Sequence, residues 1–533
     1  MERGCGMFLP IASIRNSSGY GTFSKEVYEF IDYLSDNGIK YWQILPINEI
    51  DYKKSIISTV SSFAIDPLYI DAEKYMTKEE LDFFKLENTD GFESFRAKKY
   101  ELLAYLFDKL YFETNLDKYI TDNQDWVYDY AVYKCLKDEL KCEYSDFPDC
   151  YKNTDSGETI TFIRTHSEDI VYYIFLQYIA HRQWKELKKY ASSKGIKIVS
   201  STSIFSSTES ADIYANKAHF LNSNGKIINF NEFYGLDTVN KEKENSTTAF
   251  LPNFDTLKQT GNNTLAMFNL DTCRMTKFAF LTKKFEYLSK LYDYIIIENS
   301  SEFDRFFGRI KENKPSFGTQ IVNSSLESQK SKNEMVDLKI YSTEKLKGEN
   351  LTFEPVDYQN LAVRDEFLNI LKDNKIKNIV LEEFINLDEN ENLIKPLRQN
   401  KVNFPVTKFM EFAFINNLDK ASLPVNYEKN TFAYLANCKQ VKFSEILEDD
   451  AVKSRVCTYL GLPTTTENEI VAKMSIENLL TSNAGVVMVS AMDIFEENTF
   501  GKISGINDYK LPKDYTNEKF MQYLKELIKN KNR

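Results

Sequence analysis

The sequence predicts an α/β fold, a (β/α)8 TIM-type barrel carrying helical insertion subdomains. Three observations predict it. Eight short apolar runs are spread along 533 residues, amphipathic stretches separate several of them, and one run ends on a carboxylate just where the chain turns polar. That run is YIIIENSSEFDRFF, Tyr294 to Phe307, in which three isoleucines lead into Glu298. A buried strand with an acid at its far end is how many barrel enzymes present a catalytic group.

The elements follow in order. GMFLP (6–10) is the first strand. FSKEVYEFIDYLSDNG then sets Phe23, Val27, Phe30, Ile31 and Leu34 on one helical stripe, with Gly38 as its stop. YWQILPI (41–47) is the second strand. The span 48–195 is too long for one connection and has helical period, so it reads as an inserted, mostly helical subdomain. Its last stretch puts Val171, Ile174, Phe175, Tyr178 and Ile179 on one face and ends at Gly195. The remaining strands are IKIVSSTSIF (196–205), YIIIEN (294–299), NIVLEE (378–383), KFMEFAF (408–414), TFAYLAN (431–437) and VVMVSAM (486–492). The barrel core therefore occupies 1–47 and 196–510. A stretch rich in Ser, Lys and Asn (308–375) reads as an irregular insertion, and 511–533 as a C-terminal helix. No repeat of fixed period and no low-complexity tract is evident.

Composition excludes several classes. A net charge of −12 argues against nucleic acid or an anionic membrane as a partner. No stretch approaches the roughly 20 apolar residues of a membrane span, and the opening MERGCGMFLPIASI has too short an apolar run for a secretory signal. A cytoplasmic location is the expectation. The 7 cysteines are scattered with no C-x-x-C, which indicates neither a zinc site nor a disulfide framework. With only His166, His181 and His219, serine–histidine or metal–histidine chemistry has little to work with, and each is expected to be a surface or capping residue. No metal and no cofactor is expected.

Several segments in order resemble one family. YWQILPI, SSFAIDPLYID (61–71), DWVYDYAVYKCLKDE (125–139), QYIAHRQWKELKKYASSKGIKIV (177–199) and ESADIYANKAHF (209–220) are similar to the amylomaltases, the 4-alpha-glucanotransferases. The likeness continues through LYDYIIIEN, NIVLEEF, FMEFAFINNLDKASLPVNY (409–427) and RVCTYLGLP (455–463), and is poorest over 308–375. It implies a (β/α)8 barrel that cuts an α-1,4 glucan bond with retention and passes the glucan to another sugar's hydroxyl. That chemistry needs a nucleophilic carboxylate and an acid/base carboxylate about 5 to 5.5 Å apart. The resemblance adds a third acid that steadies the positive charge, and places the three at the ends of strands four, five and seven.

The family's strand-four pattern R-I-D-H corresponds to Ile296-Ile297-Glu298-Asn299. The nucleophile position thus keeps a carboxylate, Glu298, one methylene longer, while the orienting arginine has become Ile296. Misplacing a reacting atom by about 1 Å can cost on the order of a hundredfold. Glu298 is either a retained nucleophile or a solvated strand-end acid. Strand five keeps its acid/base position in Leu381-Glu382-Glu383. On strand seven, Y-T-G-T-H-D-N-D becomes Tyr434-Leu435-Ala436-Asn437-Cys438-Lys439-Gln440-Val441, so Lys439 stands at the stabilising aspartate and Cys438 at the histidine. At an effective dielectric near 20, a unit charge about 5 Å from the anomeric carbon is worth roughly 3 kcal/mol, so reversing its sign swings the transition state by about 6. An ammonium beside Cys438 also opens thiol chemistry, although no histidine lies nearby in sequence.

The sugar-gripping positions diverge as well. S-P-Y-Q-S-F corresponds to Ser55-Ile56-Ile57-Ser58-Thr59-Val60, which replaces the stacking tyrosine with Ile57. G-D-L-P-I-Y corresponds to Ser200-Ser201-Thr202-Ser203-Ile204-Phe205, which replaces a sugar-binding acid with Ser201. The lid segment NSTTAFLPNF (245–254) has no tryptophan. Three functions stay open. The chain is a transferase-family protein of maltodextrin or glycogen metabolism with impaired or lost activity, an active transferase using Glu298 and Glu382, or a non-catalytic scaffold that binds glucan or another protein.

Overall fold

A computed structural model describes residues 1–14, 16, 20–51, 59–84, 92–223, 226–230, 265–298, 300, 303, 306–311, 352–355, 363–382, 403–415, 420–437, 442–495, 500–503, 506–509, 511–512 and 514–533. Its centre is a closed barrel of eight parallel strands. In chain order they are β1 (Gly4–Phe8), β2 (Tyr41–Ile44), β3 (Lys197–Thr202), β4 (Tyr294–Ile297), β5 (Ile379–Leu381), β6 (Val406–Phe409), β7 (Thr431–Tyr434) and β8 (Val486–Ser490). Each strand pairs with its neighbours in sequence order, and β1 closes on β8 through Gly4–Val486 to Phe8–Ser490. All eight fall within the apolar runs expected of them, or begin one or two residues earlier. The run 408–414 is strand only to Phe409 and then tightens into a 3-10 turn, Met410–Ala413.

Alternation along the strands divides the core in two. Side chains from one face of the pleat point into the barrel, where Phe8, Tyr41, Val199, Ile296, Val380, Phe409, Phe432, Tyr434, Val486 and Met488 pack together. Those from the other face, such as Ile295, Ile297, Ile379 and Leu381, join the larger core under the helices. The interior is full. A Cβ on Gly6 would lie 2.7 Å from the end of Met488 and 2.8 Å from the Cβ of Tyr41, so β1 can pass there only as glycine.

The helices follow the same economy of faces. Helix α1 (Lys25–Asp36) buries Val27, Phe30, Ile31 and Leu34, and Gly38 takes φ +75° just past its end. Between β2 and β3 lie α2 (Phe92–Leu110), α3 (Val127–Leu140), several shorter helices and the 27-residue α4 (Ser167–Ser193). The buried face of α4 is broader than its apolar stripe. Ile170, Tyr173, Ile174, Gln177, Gln183 and Trp184 are buried, whereas Val171 and Tyr178 are only partly so, because the helix packs against both the barrel and its neighbours in this region. Gln177 bonds both the N–H and the carbonyl of Ile65, an amide pair that explains a polar residue in that face.

Helix α5 (Ala279–Leu291) leads into β4, and α6 (Val363–Asp373) leads into β5. The last part of the stretch read as irregular is therefore regular helix, with Val363, Phe367, Leu368 and Leu371 buried. Strands Phe307–Lys311 and Thr352–Pro355 pair antiparallel within the same stretch. After β7 come a short helix (Phe443–Ile446), α7 (Asp450–Leu460) and α8 (Asn468–Thr481). The closing helix α9 is Lys519–Asn530. Beyond it the Arg533 guanidinium donates to the carbonyls of Leu480, Ser482 and Ala484 at the end of α8, and Arg3 also reaches those of Ser482 and Ala484. Among the described residues no helix is long and apolar enough to cross a membrane.

Gly6→Ala should destabilise the barrel by about 1–3 kcal/mol, the usual cost of overpacking, because the Tyr41 backbone cannot retreat. A urea titration of the two chains measures it, and equal midpoints would show that the interior has slack.

Candidate active site at the barrel mouth

Parallel register sets the site. Ser201 is level with Ile296 across β3 and β4, and Ile296 is level with Val380 across β4 and β5. The ladder continues one step beyond the strands: Glu298 N–H donates to Thr202 O and Glu382 N–H to Ile297 O, each at 3.0 Å. Glu298 and Glu382 therefore stand side by side on neighbouring strands. Both follow an inward residue by two, Ile296 and Val380, so both carboxyls leave the inner face of the pleat. Adjacent strands run about 4.8 Å apart, so the two acids start from backbones spaced close to the carboxylate separation of a retaining pair. Glu382 is 5% exposed and Glu298 is half-buried. Ser300 tightens the rim by donating its N–H and its hydroxyl to Glu382 O, both at 3.0 Å.

Directly below Glu298, Ile296 is 2% exposed within the interior apolar cluster. Ser201 beside it is 1% exposed, and its hydroxyl has no hydrogen-bond partner among the described residues. Thr407 on β6, one step past Val406 and hence level with Glu382, is buried in the same condition. Unpaired buried hydroxyls are rare and mark places where water or a ligand hydroxyl bonds. The expected positions Ile57, Asn299, Cys438 and Lys439 lie outside the described residues.

The segments above β3 are pinned by two buried charges. Asp212 accepts from the N–H and hydroxyl of Ser62 and from the Ser206 hydroxyl, joining the chain after β2 to the chain after β3. Lys284 on α5 donates to Ser203 O at 2.7 Å and Phe205 O at 3.3 Å, and burial pulls its ammonium down to about 8. Among the described residues no cluster of histidine, cysteine and acid groups could hold a metal ion.

Two buried acids escaped the sequence reading. Glu411, in the turn after β6, is 2% exposed. Burial pushes its carboxyl up to about 8, against the pull of the Asn437 N–H and with a push from Asp493. Asp493, in the turn after β8, is pushed by burial to about 7, against the Phe443 N–H and Lys442. Glu411 was visible as the one acid inside the apolar run KFMEFAF, and Asp493 as the acid closing VVMVSAMD.

The histidines differ from expectation. His166 is the capping residue foreseen, ending one helix and starting α4. His181 is not a surface residue. Its ring sits among Tyr119, Trp126 and Tyr287, bonded to the Gln177 carbonyl and two tyrosine hydroxyls, and burial pulls it down to about 4. Burial likewise pulls His219 to about 4. A cavity of about 500 Å³ lined by Lys290, Asn374, Lys377 and Asn378 opens at the opposite end, before β4 and β5 begin, and takes no part in the site.

A sequence model of the 4-alpha-glucanotransferases matches residues 9–511. The chain belongs to this family. The 4-alpha-glucanotransferase of Clostridium butyricum is 25% identical over 442 residues, 80% of this chain and 78% of its own length. That of a Synechocystis species is 24% identical over 488 residues, 86% and 83% of the two chains. The Aquifex aeolicus relative matches over only 222 residues, 40% of this chain and 46% of its own, at 27% identity. Among solved structures, the amylomaltase of Streptococcus agalactiae, in complex with acarbose, superposes over 100% of both chains with a TM-score of 0.73 at 18% identity. That of Corynebacterium glutamicum gives 0.59 at 12%, over 100% of this chain and 75% of its own. These two likenesses establish the family's barrel as the fold.

Glu411 holds its proton in the folded chain across a window where the unfolded chain, with an ordinary carboxyl near 4.5, has lost it. Stability should therefore fall as pH rises from about 4.5 to about 8, by up to about 1.4 kcal/mol for each pH unit. Glu411→Gln should make this slope shallower, the share of Asp493 up to about 7 remaining, and leave the chain more stable than the parent near pH 8. Urea midpoints between about pH 5 and about pH 8 measure it; parallel curves would show that the carboxyl titrates normally.

Proposed function

We propose that this family member has lost most or all glucan transfer, and that its barrel mouth persists as a modified pocket. One observation carries the reading. At the position where the resemblance calls for an arginine beside the nucleophile, Ile296 is packed into the apolar interior directly below Glu298. An isoleucine offers no donor to orient the carboxylate and no charge to set its protonation. The sequence at Lys439 points the same way, since an ammonium in place of the third acid opposes the developing oxocarbenium charge. With Ser201 for an acid and Ile57 for a tyrosine, the grip on a glucose ring is also weakened.

A second reading has an observation of its own. Glu298 and Glu382 remain paired in register at the strand ends, the arrangement a retaining transferase requires. On this reading Glu298 is the nucleophile and Glu382 the acid/base, acting on α-1,4 glucans.

Incubation with maltotriose, followed by chromatography for longer and shorter oligomers, separates the two. Little or no disproportionation is expected; rapid disproportionation abolished by Glu382→Gln would establish the active reading. Calorimetry with maltoheptaose then divides the silent outcomes. Heat at millimolar sugar marks a glucan-binding barrel, and its absence marks a scaffold for protein contacts.

A further inference from the structure

Glu411 and Asp493 reach the same stretch of chain from opposite sides. Glu411 leaves the turn after β6, donates its N–H to Leu435 O at 2.8 Å, and accepts from Asn437 N–H at 3.0 Å on Oε1. Its backbone and side chain together grip the three residues that follow β7. Asp493 leaves the turn after β8, shaped by Ser490 Oγ accepting from Met492 N–H, and accepts from Phe443 N–H at 2.8 Å on Oδ1. That bond satisfies an otherwise open donor at the first turn of the helix Phe443–Ile446. In the sequence, Asn437 and Phe443 bracket Cys438 to Lys442.

We propose that Glu411 and Asp493 are positioning residues that jointly fix both ends of the chain joining β7 to the next helix. A neutral amide could also accept each bond, so the choice of two buried acids has a consequence. Their first protons are held near neutrality. As pH rises through about 7 and then about 8, two anions come to oppose one another inside the fold. Among the described residues, the charged groups acting on Asp493 are Lys442, buried and favourable, and Glu445 and Glu469, which oppose it. Among the described residues one ammonium, Lys442, stands against these carboxyls, and parting the clamp lets water reach the pair. The positioning is thus conditional on a proton. It acts on the strand-seven segment whether or not the chain transfers glucan, so its test reads the backbone and not sugar chemistry.

Amide hydrogen exchange on the full chain, read by mass spectrometry on peptides spanning 435–444 and corrected for base catalysis, decides it. Between about pH 6.5 and about pH 9, protection in the unaltered chain should fall by about tenfold or more. Glu411→Gln and Asp493→Asn keep an acceptor and remove a charge, and should hold protection level over that range. Glu411→Ala should lose protection at Asn437 at every pH, with Glu411→Gln restoring it. Should one variant fail to fold, the other and the unaltered chain's own pH profile still decide. Protection that is level with pH in the unaltered chain, or native exchange in Glu411→Ala, would overturn the proposal.

Discussion

The hydrogen-bond register of β3, β4 and β5 is the constraint on which the site depends. Parallel pairing fixes which residues are level, and the pleat fixes which of them face inward. Ser201, Ile296 and Val380 form one level, and Glu298 and Glu382 the next. A slip of one residue in β4 would turn Glu298 outward and bring Ile297 into the barrel. Ile296 belongs to one interior apolar cluster with Phe8, Val199, Val380 and Met488, the packed layer on which the mouth stands. Position at the mouth is therefore inherited from packing beneath it.

That inheritance separates geometry from charge. The fold brings two acids together regardless of what surrounds them, and the chemistry depends on the surroundings. On the proposed reading, Ile296 stands where the resemblance calls for a guanidinium beside the nucleophile. Meanwhile the buried groups Asp212, Lys284, Glu411 and Asp493 each bond backbone groups of the connecting segments, while Glu382, equally buried, stands at the mouth itself.

Much of the fold was legible in the sequence because it rests on periodicity. YIII, NIVLE and VVMVS are short, β-branched and bounded by turn residues, and strands of that kind have few alternatives. Helix α1 followed from its stripe and Gly38. What escaped depends on contacts distant in sequence. The tucked position of His181 arises from Tyr119 and Tyr287, 62 and 106 residues away. The buried face of α4 exceeds its apolar stripe because Gln177 and Gln183 bond backbone amides 112 residues earlier. Glu411 is an acid inside an apolar run, and its bond to Asn437, just beyond the next strand, accounts for it. At the site, residue types showed where Glu298 and Glu382 stand, while the unpaired hydroxyl of Thr407 needed the β5–β6 register to be noticed.

Retention proceeds through a sugar bonded covalently to the nucleophile, so a donor with a fluoride leaving group probes Glu298 without help from the acid/base residue. Intact-mass and peptide analysis after exposure to α-maltotriosyl fluoride reads the nucleophile itself. With Ile296 where a guanidinium belongs, no glycosyl adduct and no fluoride burst should form. An adduct mapped to Glu298, released on adding maltose, would contradict the loss of transfer chemistry.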